Sequence, residues 1–103
     1  MQNETRPIKY LLKENSWIAR IAAFKLNASS VAIVLGNTIY LHNAKQEEFI
    51  KNTRWLKHEL CHVQQFEQHG FFSFIVKYLW ESLKHGYQNN KYEIEARKAE
   101  MES

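Results

Sequence analysis

One pentapeptide constrains this chain more than any other feature: His58-Glu59-Leu60-Cys61-His62. Residues four apart on a helix stand one turn above the other on the same face. Two imidazoles so placed can hold one metal ion, provided that the segment is helical. Glu59, between them, can be turned toward a water on that metal and take a proton from it during attack on a carbonyl. Imidazole and carboxylate donors suit zinc best, so the expected cofactor is Zn²⁺, with His58 and His62 as metal ligands and Glu59 as the catalytic base.

The surrounding sequence predicts the helix that the motif needs. Asn52 and Thr53 are candidate N-caps for a helix from about Arg54 to about Gln68. Leu56, Leu60, Val63 and Phe66 recur at helical spacing and mark its buried side, and Gly70 stops it. A second helix is predicted over Phe72 to His85, with Phe72, Ile75, Val76, Leu79 and Leu83 on its inward stripe and Gly86 as its stop. Phe71, Phe72, Phe74 and Trp80 read as core. A third helix runs from Tyr92 to about Glu102, with Asn90 as N-cap and Glu93 placed to complete a capping box. Upstream, Val31 to Leu35 and Thr38 to His42 flank Gly36-Asn37, a β-hairpin signal because both loop residues tolerate positive φ. Trp17 to Leu26 alternates like a strand, Gln46 to Lys51 suits a short helix, and the first fifteen residues, with Pro7, read as an arm with a helical turn around Ile8 to Lys13. The expected class is α+β, an N-terminal antiparallel β-meander or hairpin followed by three helices with the His-Glu motif on the first long one.

Length and charge narrow the readings. At 103 residues the chain is expected to be one domain spanning 1–103, with a modest core that a bound metal would help to stabilise. All eleven acidic residues are glutamates, which excludes Asp-based triads and EF-hand loops. The net charge of +3 is spread along the chain without a basic block, so no nucleic-acid partner is expected. Cys61 is the lone cysteine and reads as a small buried residue. No stretch is long and apolar enough for a membrane span and no signal-peptide pattern opens the chain, so a cytoplasmic protein is expected.

A catalytic zinc needs a third protein ligand. The extended pattern that places Gly and then His downstream fails here, because those positions are Gln65 and Gln68, and His69 misses by one residue. At this point the chain resembles a family. The motif followed by Tyr92-Glu-Ile-Glu-Ala-Arg97 resembles the gluzincin peptidases, particularly the HtpX-type and CAAX-type proteases, whose third ligand opens a Glu-x-x-Ala-Asp motif. It also resembles small bacterial zincin-like proteins of unknown function over most of its length. The resemblance implies a minimal zincin-like fold with Glu93 as the third metal ligand. The family's aspartate falls on Arg97, so support for a histidine ligand must come from elsewhere. Glu95 competes with Glu93 but points to roughly the opposite side of the helix.

These features point to a zinc-dependent hydrolase, a small metallopeptidase acting on a peptide or protein. The alternative is a zincin-fold interaction or assembly module whose metal is structural. A strand at Ile39 to His42 is a candidate for binding substrate by strand addition. Tyr87, Tyr92, His69 and His85 are open candidates for stabilising an oxyanion. A homodimer or a protein partner would help so small a domain enclose a cleft.

Overall fold

The structure is a computed structural model that describes residues 8–102. Its elements run β1 (Leu11–Lys13), α1 (Trp17–Leu26), β2 (Val31–Leu35), β3 (Thr38–His42), α2 (Gln46–Lys51), α3 (Thr53–His69), α4 (Phe71–His85) and α5 (Lys91–Ala99). This is an α+β fold, a three-stranded sheet with helices packed around it. No helix among the described residues is long and apolar enough to cross a membrane.

The hairpin forms as its sequence dictates. β2 and β3 pair antiparallel from Val31↔His42 to Leu35↔Thr38, leaving Gly36 and Asn37 as a two-residue loop. Gly36 alone takes positive φ, at 65°, as a type II′ turn requires of its first loop position. The rest of the sheet departs from the expected meander. The order is β1-β3-β2, and β1 pairs parallel to β3 from Leu11↔Thr38 to Lys13↔Tyr40. The expected helical turn around Ile8 to Lys13 is not formed: Leu11–Lys13 is a strand paired with β3, and Ile8–Tyr10 belong to no regular element. Pro7 and the six residues before it lie outside the described residues.

Trp17–Leu26 is a helix and not the expected strand. Ser16 caps it by accepting from Ala19 N (3.3 Å), and Asn27 closes it in the left-handed region at φ 55°. Ala19 and Ala23, one turn apart, are buried against Val31, so small side chains let the helix lie close on the sheet. The alternation that suggested a strand also satisfies this i, i+4 contact, and Trp17 and Ile21 turn outward.

α3 follows its prediction within a residue at each end. Asn52 Oδ1 accepts from Trp55 N (3.2 Å), and Gly70, at φ 86°, ends the helix. Val63 is buried with Ile39, Leu41 and Phe49, and Leu56 and Leu60 pack on that cluster. On α4 the rotation differs from expectation. Phe74 is buried and Ile75 and Tyr78 pack beside it, whereas Phe72, Val76, Leu79, Trp80 and Leu83 face outward. The polar residues Ser73, Lys77, Glu81 and Lys84 gather on one side of α4, and the apolar face that periodicity picks out, Phe72 with Leu79 and Leu83, does not set the inner face. A polar anchor does: fully buried Asn90 donates to Tyr78 O (3.0 Å) and Ser82 Oγ (2.9 Å) while its Oδ1 caps α5 at Tyr92 N (2.8 Å). The expected capping box at Asn90 is incomplete, because the Glu93 carboxylate is engaged elsewhere.

Asn90→Ala should destabilise the fold by about 2–3 kcal/mol, the combined cost of a lost cap and of buried groups left unpaired. Urea denaturation measures it. A change below about 0.5 kcal/mol would remove Asn90 as the anchor that sets α4 against α5.

Candidate metal centre

α3 turns His58 and His62 toward α5, and α5 opposes them with Glu93 in its first turn. Glu93 Oε1 lies 3.1 Å from His58 Nε2, and Oε2 lies 3.2 Å from His62 Nε2. Tyr78 O–H, from α4, donates to Oε2 at 2.5 Å. His62 and Glu93 are buried and His58 is nearly so, at 13% side-chain exposure. One ligand atom from each of the three lies within 4.8 Å of the others. Two atoms bonded to one tetrahedral zinc stand about 3.3 Å apart, given bonds of about 2.0–2.1 Å, so the donor types suit such an ion and the two distances from Glu93 to the imidazoles are close to that separation.

The far side of each imidazole is also held. His58 Nδ1–H donates to Glu100 Oε2 (2.7 Å), the proton being assigned to nitrogen because a carboxylate can only accept. His62 Nδ1–H donates to Gln65 Oε1 (2.8 Å), whose amide in turn donates to Tyr92 O (3.1 Å) and Glu95 Oε1 (2.6 Å). Both rings are thereby oriented with Nε2 toward Glu93. Glu95 faces Gln65 and stands outside the three-residue cluster. Arg97, where the resemblance expects an aspartate, reaches the Gln88 carbonyl instead. Glu100, seven residues beyond Glu93 and so on the same side of the helix, supplies the missing support to a histidine. Neither Glu100 nor Gln65 was singled out for this work from the sequence. The available signals were that spacing and the i, i+3 separation of Gln65 from His62.

Electrostatics follow from burial and this pairing. Burial pulls the His58 imidazolium down, but Glu93, Glu59 and Glu100 outweigh it and hold its pKa at about 9. His62 is likewise raised, burial being outweighed by its contact with Glu93. Burial pushes Glu93 up, yet the hydrogen bonds from His58, His62 and Tyr78 hold it well below the usual carboxylate range. Glu59 is buried, which raises it to about 7 against the opposing pull of His62 and His58. Burial also pushes the Cys61 thiol to about 12, so it is protonated at neutral pH and chemically quiet.

A cleft of about 440 Å³ opens over this cluster, and His58, Glu59, His62 and Glu93 contribute to its lining. Tyr78 and Tyr87 join them, and apolar side chains such as Leu26, Val34, Phe74 and Ile75 form much of the wall. β2 runs along the cleft from Ala32 to Leu35 and, among the described residues, has one open edge. In a two-residue hairpin the closing pair exchanges both hydrogen bonds, so Leu35, Ile33 and Val31 face β3, and Ala32 and Val34 turn their N–H and C=O outward. The strand expected to accept substrate, Ile39–His42, lies between β1 and β2, with Ile39 and Tyr40 paired on both sides, so among the described residues the open edge beside the cleft is that of β2. Of the other polar candidates, Tyr87 alone reaches the cleft. His69 stacks on Phe74, Tyr92 is buried beside the same ring, and His85 is exposed.

Residues 18–70, just over half of the chain, match the family model described as the eCIS core domain. The match takes in α1, the hairpin and the whole His-Glu helix, and it ends before Glu93. No curated protein and no solved structure matches the chain.

Both imidazoles contact an acceptor through each ring nitrogen, so the metal-free site holds protons where a cation would bind. A metal at Nε2 displaces those protons, while Nδ1–H stays with Glu100 or Gln65. Zinc uptake at pH 7.5 is therefore expected to release at least one proton per ion. Titration calorimetry in buffers of different ionisation enthalpy reads this as a buffer-dependent heat. Equal heats in all buffers would mean that the imidazoles are already neutral.

Proposed function

The chain belongs to the eCIS core domain family, and on that premise we propose that it is a small zinc-dependent hydrolase, a metallopeptidase with His58, His62 and Glu93 as metal ligands and Glu59 as general base. The observation that carries this reading is the convergence of the three donors beside a buried glutamate in an open cleft that runs along a free strand edge.

Zinc bound there supplies a Lewis acid for a substrate carbonyl and for the attacking water. The chain's own groups do the rest. The outward N–H and C=O of Ala32 and Val34 bind an extended backbone as an added strand, laying a peptide bond across the cleft. The apolar wall of Leu26, Phe74 and Ile75 takes a bulky apolar side chain beside that bond and excludes water. Glu59 receives the proton that the attacking water loses and passes it to the departing amine nitrogen, ending the cycle ionised. Tyr87, on the cleft wall, is the phenol placed to donate to the carbonyl oxygen as negative charge develops there. Glu100 and Gln65 keep both imidazoles in the tautomer that offers Nε2 to the ion.

A second reading has one observation in its favour. The family description names a core domain and no reaction, which suits a domain that holds a metal for structure and serves assembly.

Glu59→Gln separates the two. It should keep zinc at the wild-type stoichiometry and lower cleavage of an apolar-rich peptide library by about 10²–10⁴-fold, measured by mass spectrometry. Cleavage at the wild-type rate would remove Glu59 as the base. No cleavage by a zinc-loaded wild type would favour the structural reading.

A further inference from the structure

Two helices that border the cleft carry a second apolar stripe, turned away from the core. On α1, Trp17, Ile21 and Phe24 lie within one narrow arc opposite Ala19 and Ala23. On α4, Phe72, Val76, Leu79, Trp80 and Leu83 fill an arc opposite Phe74. The side chains are well exposed: Phe24 88%, Phe72 79%, Leu83 78% and Trp17 71%. At about 200 Å² for each aromatic side chain, Trp17 and Phe24 on α1 and Phe72 and Trp80 on α4 together leave roughly 600 Å² of apolar surface in water. Both helices border the metal cleft: Leu79 of the α4 stripe lines it, and so does Leu26, on the side of α1 opposite Trp17.

The charges beside the stripes are of one sign. α1 contains Arg20 and Lys25 and no acidic residue. α4 contains Lys77 and Lys84, and its one acidic residue, Glu81, accepts from the backbone N–H of Lys91 at the start of α5. The Lys84 ammonium sits 5.6 Å from the Trp80 ring centre, its stem lying along the apolar stripe. The occupant of this surface must therefore be apolar within and anionic at its boundary. A second copy of the chain offers no anionic boundary from these same helices, since α1 has no acidic residue and Glu81 of α4 is engaged with Lys91 N. A bilayer containing anionic lipid offers one and demands no matching shape. Aromatic and aliphatic side chains enter the acyl boundary while lysines and arginines reach the headgroup phosphates.

We propose that the outward faces of α1 and α4 dock the protein onto an anionic membrane surface, with the metal cleft opening beside the lipid. No helix spans the bilayer in this arrangement; both lie along it.

The test is co-sedimentation of the intact protein with phosphatidylcholine vesicles, with and without 30% phosphatidylglycerol, at low salt and at 0.5 M salt. Binding is expected to the anionic vesicles, with a blue shift of tryptophan emission from Trp17 and Trp80, and with weakening as salt rises. Phe72→Ser with Leu83→Ser should abolish it. Lys77→Gln and Lys84→Gln should each weaken it about fivefold. All four positions are exposed, and an unchanged circular dichroism spectrum verifies that the variants fold. Protein treated with EDTA and protein supplied with zinc should bind vesicles alike, which keeps this result independent of the metal site. Absence of binding to anionic vesicles would overturn the proposal, as would binding indifferent to the α4 variants. A dimer in sedimentation velocity that the same α4 variants dissociate would assign the surface to a second copy instead.

Discussion

The Glu93 carboxylate organises this protein. Its two oxygens meet the Nε2 atoms of His58 and His62, and Tyr78 closes on it from a third helix. A buried carboxylate is costly unless it is paired and hydrogen-bonded, and here each of its partners comes from a different turn or a different helix. The contact joins residues 35 positions apart and sets α5 against α3. It matters more because the apolar core is divided. Among the described residues, buried apolar side chains form three small clusters: one under α3 on the sheet, one under α1, and one between α3, α4 and α5. The last of these adjoins the polar centre through Tyr78 and Tyr92. The fold and the candidate metal site thus share the same few residues, and replacing the site's protons by a metal would strengthen the joint that holds the C-terminal helices.

The outer hydrogen bonds explain how a short chain can keep such a site in order. Glu100 and Gln65 fix the two rings from behind, and Gln65 is itself clamped between His62, Tyr92 and Glu95. Asn90 fixes the start of α5 and the rotation of α4 at once. The cleft is formed where these elements leave the edge of β2 uncovered, so the donors, the buried Glu59 and the open strand face one space.

What the sequence could reveal was local. The Gly36-Asn37 loop, the Asn52 and Asn90 caps and the stops at Gly70 and Gly86 act within a few residues, and the hairpin and the last three helices stand where those signals put them, to within one to three residues. The spacing of His58 and His62 is likewise a local fact once the helix is known. The misreadings were decided at a distance. Trp17–Leu26 satisfies a strand pattern and a helix pattern together, and contact of Ala19 and Ala23 with β2 selects the helix. β1 is only three residues long and is held by a parallel partner beyond a helix and a strand, a pairing without a turn signal. That same pairing makes β3 central and moves the open edge to β2. α4 has a wide apolar face opposite Lys77, Glu81 and Lys84, and the Asn90 anchor with the rings of Phe66 and Tyr92, rather than periodicity, determines which part of it turns in. Gln65 and Glu100 become meaningful only when α3 and α5 are laid together.

The measurement that bears most directly on this account is the metal content of the purified protein, by elemental analysis without added metal, beside His58→Ala and Glu93→Ala. The account predicts about one zinc per wild-type chain, lost or sharply reduced in both variants while each remains folded. A wild type that holds no metal even after zinc is offered, or a Glu93→Ala variant that binds it undiminished, would contradict the central claim.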